Sequence, residues 1–132
     1  MFYEPEKNNH GLARPPFKSC VVPRPIGWIS TLGVDGVPNL APYSQFTNLT
    51  FDPPYVALSI NQRYSQKRKD TTENIEQTGE FVYNMVTYEL REAMNITASD
   101  FPPSVDEFEA AGLEKAPSRI VKPWRVAASP IQ

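Results

Sequence analysis

The sequence predicts a mainly β domain, in which a small antiparallel β-barrel carries short helices at its periphery. Segments rich in β-branched and aromatic residues occur at 26–32, 55–60 and 81–86, as is typical of β-strands. The pair Asp35-Gly36 follows the first of these segments, and this dipeptide is a strong signal for a β-hairpin. Fourteen prolines, about twice the usual frequency, forbid long helices through the points where they cluster.

The chain of 132 residues fits one small domain. We interpret residues 1–17 as an irregular N-terminal arm, because this stretch is polar and is broken by Gly11, Pro15 and Pro16. The barrel domain is then expected to occupy residues 18–132.

The strands are expected to follow one another closely along the chain. The strand at 26–32 returns through the hairpin turn into a second strand at 37–41. A further extended piece at 44–50 ends where Asp52-Pro53-Pro54 interrupts it, and the strand at 55–60 comes next.

Three short helices are predicted between and after these strands. Asp70 is suited to the N-cap of the first helix, Glu73 completes a capping box, and Gly79 is a typical C-terminal signal. Two further helices are expected at 88–94 and 105–111.

The last part of the chain, residues 119–128, is predicted to approach one more strand. A barrel that stops there leaves an unpaired strand edge, which soluble proteins normally cover. We therefore expect a fold that is incomplete at its C-terminus, or one that a partner completes.

Composition excludes several classes of function. The formal net charge of −2 gives no general electrostatic reason to expect nucleic acid or an anionic membrane as a partner. No apolar run approaches the roughly 20 residues that span a bilayer. The first residues do not resemble a secretory signal. One cysteine, Cys20, cannot form an internal disulfide, so a cytoplasmic location is expected.

The sequence also lacks the common catalytic and metal-binding motifs. With one histidine, His10, and one cysteine, there is little from which to build a zinc site or a Ser-His-Asp triad. A hydrolase driven by carboxylates is disfavoured, because seven of the fifteen acidic residues fall in predicted helices and are expected on solvated faces. These residues are Glu73, Glu76, Glu89, Glu92, Asp106, Glu107 and Glu109.

A cationic segment directly precedes the first predicted helix. A helix N-terminus presents N–H groups and the positive end of the helix dipole, and neighbouring cations add charge-assisted hydrogen bonds. The hydroxyl of Thr71 adds a donor, so the segment suits a phosphate monoester. On the local pattern alone, a solvated basic loop is the more common explanation. The cations are Arg63, Lys67, Arg68 and Lys69.

The strand Trp28–Thr31 alternates large apolar residues with hydroxyl-bearing ones, and the polar and aromatic stretch Asn39–Phe46 follows closely. Such segments can form an apolar wall with a few fixed donors, as a planar ring with a polar rim requires. An ordinary amphipathic barrel strand has the same pattern.

These features fall in the order seen in one family. The blocks Val22–Thr31 and Asn39–Ser44, with Gly36 between them, resemble the opening of the flavin reductase-like, FMN-binding split barrels. The resemblance covers nearly the whole chain, and several co-linear blocks are more specific than any single one. Because members of the family are longer, the chain looks like the first two-thirds of such a protein. The later matching blocks are 52–54, 69–71, 74–75, 79–82, Asn84 and 106–113.

The resemblance implies a cofactor site in three parts. The flavin is implied to lie along Trp28, Ile29, Ser30 and Thr31, with the two hydroxyls as donors to the ring or to the ribityl phosphate. The wall of the pocket is implied to continue through Tyr43, Ser44 and Gln45, with Asn61 near the cofactor. The phosphate is implied to be held by Lys69 and Thr71, with Arg68 assisting and the hydroxyl of Ser44 contributing.

The resemblance also implies a function. The cofactor would be FMN, and NADH or NADPH would be a transient donor of hydride to flavin N5, as in an NAD(P)H:flavin oxidoreductase. Such proteins are usually homodimers. Two alternatives stay open: a flavin carrier without turnover, and a shortened relic or interaction module that binds no flavin.

Overall fold

The computed structural model describes residues 2–61 and 68–132. Its central element is a three-stranded antiparallel sheet in the order β2-β1-β5. The strands are β1 (Gly27–Leu32), β2 (Pro38–Tyr43) and β5 (Val82–Asn84). The predicted hairpin between β1 and β2 is confirmed: Gly36 adopts a left-handed φ of 86°, and Gly33 N–H donates to the carbonyl of Val37.

A second antiparallel pair forms a separate hairpin. It consists of β3 (Phe46–Phe51) and β4 (Pro54–Leu58), joined through Asp52 and Pro53 with a register shift near Asn48. Apart from Phe46 at its start and Ala57 and Leu58 at its end, its residues are exposed. The strand predicted at 55–60 is β4, which begins one residue earlier and ends two residues earlier than predicted.

A third and shorter pair follows late in the chain. Here β6 (Lys115–Ala116) and β7 (Arg125–Val126) are antiparallel. Within residues 119–128, which were predicted to approach a strand, only Arg125 and Val126 pair with another strand. Asn84 connects the pair to the central sheet: its Oδ1 accepts from Val126 N–H at 2.8 Å, and its Nδ2 donates to the carbonyl of Trp28 at 3.2 Å.

The helices are short and lie on the outside of the sheets. They are α1 (Asp70–Thr78), α2 (Arg91–Ile96) and α3 (Glu107–Ala110). The prediction that Asp70 caps α1 is wrong: Lys69 is the extended N-cap, and Asp70 is the first helical residue. An acidic side chain in the first turn still favours the helix through its dipole. The C-terminal signal is confirmed, since Gly79 adopts φ 71° and its N–H donates to Ile75.

The main hydrophobic core lies between the central sheet and the later part of the chain. Trp28, Leu40, Phe108 and Val126 are fully buried there, so β1, β2, α3 and β7 share one core. Helix α1 packs on β1 and β2. The mainly β architecture predicted from the sequence is confirmed.

Candidate functional site

The strand implied to border the flavin lies in the interior. Trp28, Ile29, Ser30 and Thr31 are each 0% exposed. The indole N–H of Trp28 donates to Thr97 Oγ1 at 3.0 Å. The hydroxyl of Ser30 donates to the carbonyl of Trp124 and accepts from Asn84 Nδ2 at 3.2 Å. In this structure the side chains of Trp28 and Ser30 bind elements of the core.

A buried polar cluster lies at the far end of the same strand. We call it the Asn39 cluster, and its members come from β1, β2, α1 and α3. Register places Asn39 of β2 directly opposite Thr31 of β1, so that both side chains share one face of the sheet. The members are Thr31, Asn39, Tyr43, Thr71, Asn74 and Glu107.

The amide of Asn39 is the centre of this cluster. Its Oδ1 accepts from Thr71 Oγ1 at 2.7 Å and lies 3.2 Å from Thr31 Oγ1. Its Nδ2 donates to Glu107 Oε1 at 2.9 Å. Tyr43 OH donates to Thr71 Oγ1 at 2.8 Å, and Thr71 is only 1% exposed. The hydroxyl of Thr71, implied to hold a phosphate, therefore gives its proton to Asn39 and joins the first turn of α1 to the sheet.

Glu107 is the last member of the cluster, and its burial shows that one prediction was wrong. Its carboxylate was expected on a solvated helix face, but it is only 6% exposed. Strand β2 is at the edge of its sheet, and the outward N–H of Leu40 donates to Glu107 Oε2 at 3.0 Å. Burial raises the pKa of the Glu107 carboxyl, and the charge of Asp70 acts in the same direction, whereas the hydrogen bonds from Leu40 and Asn39 act to lower it. Asp106 beside it caps α3 and binds Lys115.

Lys69 brings a positive charge to this end of α1. Its Nζ lies 5.7 Å from the centre of the Tyr43 ring, within the range of a cation–π contact. As the N-cap, Lys69 has its carbonyl bonded to the N–H groups of Thr72 and Glu73. The structure thus brings Thr31, Tyr43, Lys69 and Thr71 close together, and their implied roles toward a flavin stay a prediction.

The remaining cations of the segment are placed differently. Arg68 is exposed and forms an ion pair with Glu76 of α1. Arg63 and Lys67 lie outside the described residues. Asn61, which was implied to lie near the cofactor, is exposed at the end of the described segment 2–61.

Ser44 and Gln45 line a groove of about 480 Å³ beside the β3–β4 hairpin. Arg24 Nε donates to Ser44 Oγ at 3.1 Å, and the same guanidinium binds the carbonyl of Lys18. We call this feature the Arg24 groove. Arg24 was not among the candidate site residues, although its place between Pro23 and Pro25 in the matching block was a signal. The residues that line it also include Phe17, Cys20, Val21, Phe46, Leu58 and Ser59.

Two features are absent from the part of the chain that the structure describes. No group of three or more His, Cys, Asp or Glu side chains there could hold a metal ion. Within the same residues, every helix is too short or too polar to cross a membrane.

Comparison with known proteins gives the relatives of this chain. Residues 19–132 match the model of the flavin reductase like domain. An uncharacterized protein of Aquifex aeolicus is 48% identical over 106 residues, which are 80% of this chain and 54% of the relative. The chain thus spans about half the length of the curated relatives it matches.

Solved structures show the same relationship. Nitrilotriacetate monooxygenase component B from Bacillus cereus has a TM-score of 0.85 and 28% identity, covering 98% of this chain and 63% of that one. A protein with a split barrel domain from Shewanella frigidimarina has a TM-score of 0.77 and 26% identity, covering 98% and 64%. The split-barrel prediction is confirmed, and the relationship supports a flavin cofactor. The chain belongs to the flavin reductase-like domain family.

Proposed function

We propose that this chain is the flavin-binding domain of an NAD(P)H-dependent flavin reductase whose cofactor is FMN. The observation that carries the proposal is the position of Lys69, which caps α1 and stands over Tyr43 beside the central sheet. Family membership supports the flavin, and the chemistry of this helix end supports the phosphate.

The donors at the start of α1 suit a terminal phosphate. A helix N-terminus favours anions, and the ammonium group of Lys69 adds a charge-assisted donor. A phosphate monoester carries a charge of about −1.5 to −2 near pH 7, more than either phosphate of a diester-like linkage. The stronger attraction favours FMN over FAD. Thr71 contributes by fixing the turn, because its hydroxyl is bound to Asn39.

The Arg24 groove is proposed to receive the ring. Its volume of about 480 Å³ is within the range of small-molecule sites. Phe46 and Leu58 supply apolar wall, while the Ser44 hydroxyl and the Gln45 amide supply polar groups at its edge. In this arrangement the buried side chains of Trp28–Thr31 support the site from the interior, and Ser44 belongs to the ring rather than to the phosphate.

A bound flavin would supply the chemistry of accepting hydride from a nicotinamide. The chain's own residues bind and orient it, and positive groups such as Lys69 and Arg24 favour the more anionic reduced form by electrostatics. We also propose that the domain pairs with a second copy of itself, which the exposed apolar hairpin β3–β4 supports.

Substitution Lys69→Ala tests the phosphate site. Loss of a charge-assisted hydrogen bond is expected to weaken FMN binding about tenfold to hundredfold. Riboflavin, which lacks the phosphate, should bind both proteins equally. Fluorescence titration with each flavin measures the affinities.

The matched control is Lys7→Ala, which removes the same charge from an exposed lysine paired with Glu4 in the arm. Equal FMN affinity in Lys69→Ala and the unsubstituted chain would remove Lys69 from the site. Consumption of NADH or NADPH in the presence of free FMN distinguishes a reductase from a carrier without turnover. A chain that binds neither flavin would contradict the whole proposal.

A further inference from the structure

Glu107 has no part in the proposed binding of flavin, yet it is the one carboxylate of the Asn39 cluster. It stands at the start of α3, and both of its oxygens accept hydrogen bonds from β2: Oε1 from Asn39 Nδ2 at 2.9 Å and Oε2 from Leu40 N–H at 3.0 Å. Burial of a carboxylate costs stability, and an apolar side chain would often fill the space at lower cost. The hydrogen bonds around this carboxylate show what it does instead: it sets the orientation of the neighbouring polar groups.

Followed from donor to acceptor, the hydrogen bonds of the cluster all lead toward Glu107. A carboxylate only accepts, so the amide of Asn39 must turn its Nδ2 toward Glu107. Its Oδ1 then faces α1, where it can only accept, and the hydroxyl of Thr71 donates to it. The oxygen of Thr71 is left to accept the proton of Tyr43. The orientation set at Glu107 thus reaches the ring over which Lys69 lies.

We propose that Glu107 is a positioning residue for the flavin phosphate, acting through Asn39 on Thr71 and Tyr43. The inference rests on the proposed phosphate site at Lys69 and goes beyond it. Thr71 is the second residue of α1, so its bond to Asn39 fixes the first turn of the helix against β2. Tyr43 fixes the surface beneath the Lys69 ammonium group. Glu107 itself touches no flavin.

The substitution Glu107→Gln disturbs this order with almost no change in shape. A glutamine has one acceptor where two donors, Asn39 Nδ2 and Leu40 N–H, now converge. Its own NH₂ group must face one of them. If the amide of Asn39 turns over in response, its Nδ2 faces Thr71, whose hydroxyl must then reverse as well. The first turn of α1 loses its fixed position relative to Lys69.

A second substitution can restore the order. In the double variant Glu107→Gln, Asn39→Asp, the carboxylate stands at position 39 and the amide at position 107, the reverse of the unsubstituted chain. Asp at 39 can accept from the new amide and from Thr71, while the glutamine oxygen accepts from Leu40 N–H. The Asn39→Asp variant alone brings two carboxylates to hydrogen-bond distance and should be the worst of the series.

The test measures FMN and riboflavin affinities for the unsubstituted chain and these three variants. We expect Glu107→Gln to weaken FMN binding about two- to thirtyfold, the range found for residues that act on a site indirectly. Riboflavin affinity should stay unchanged, because only the phosphate contact is disturbed. The double variant should recover most of the FMN affinity.

The control for loss of stability is Phe108→Leu, the neighbouring core residue of α3. An unchanged ratio of FMN to riboflavin affinity in Glu107→Gln would overturn the inference. So would a ratio that falls equally in Phe108→Leu, or a double variant no better than Glu107→Gln. Equal binding of both flavins by the unsubstituted chain would instead overturn the phosphate site at Lys69, and this inference with it.

Discussion

At the scale of single residues, Gly27 shows how tertiary contact can reverse a local preference. Alanine is favoured over glycine inside a strand by about 0.5–1 kcal/mol. However, a Cβ atom at position 27 would lie 2.5 Å from Phe46 Cδ2. The Phe46 ring is itself stacked on Tyr83, with 5.1 Å between ring centres, so moving it away disrupts that contact.

Gly27→Ala is therefore expected to destabilise the protein, by about 1–3 kcal/mol, as overpacked cores do. Denaturant unfolding of the variant gives the free energy directly. The double variant with Phe46→Leu should cost less than the sum of the two single changes, because the smaller side chain relieves the clash. A stabilised Gly27→Ala would mean that the strand preference outweighs the contact with Phe46.

At the scale of elements, local signals were sufficient where a structure depends on neighbours in sequence. The Asp35-Gly36 turn and the Gly79 helix end were both predictable, because each requires a left-handed residue at one defined position. The start of α1 was missed by one residue. Asp70 has the side chain of a good N-cap, but the extended backbone that a cap requires belongs to Lys69.

Only the part of the candidate site that depends on neighbours in sequence was predictable. The cationic helix start at Lys69 is local and could be recognised from the sequence. The Asn39 cluster joins β2 to a carboxylate 68 positions later in the chain, and no periodic pattern records that contact. Glu107 in a helix is ordinarily solvated, and its burial follows from the packing of α3 on the edge of β2. The burial of Trp28–Thr31 likewise depends on the later part of the chain.

At the scale of the whole molecule, apolar surface is distributed unevenly. The central sheet is covered by α1 on β1 and β2 and, in the main core, by α3 and β7. The β3–β4 hairpin has no comparable cover among the described residues, and Leu49, Phe51 and Tyr55 are 62%, 94% and 60% exposed. A two-stranded hairpin is marginally stable alone, so these exposed side chains are candidates for contact with a partner. This distribution supports the proposed pairing with a second copy.

Phe51→Asp is expected to shift the chain from dimer to monomer, because a charge buried in an apolar interface is left unpaired and desolvated. Sedimentation velocity over a range of concentrations measures the change. The side chain is exposed in the single chain, so the unfolding free energy of the monomer should change by no more than about 0.5 kcal/mol. Ile120→Asp is the matched control, since Ile120 is 95% exposed but belongs to the segment between β6 and β7 and not to the hairpin. If the unsubstituted chain sediments as a monomer, or if both variants dissociate equally, the hairpin is not the surface through which two copies pair.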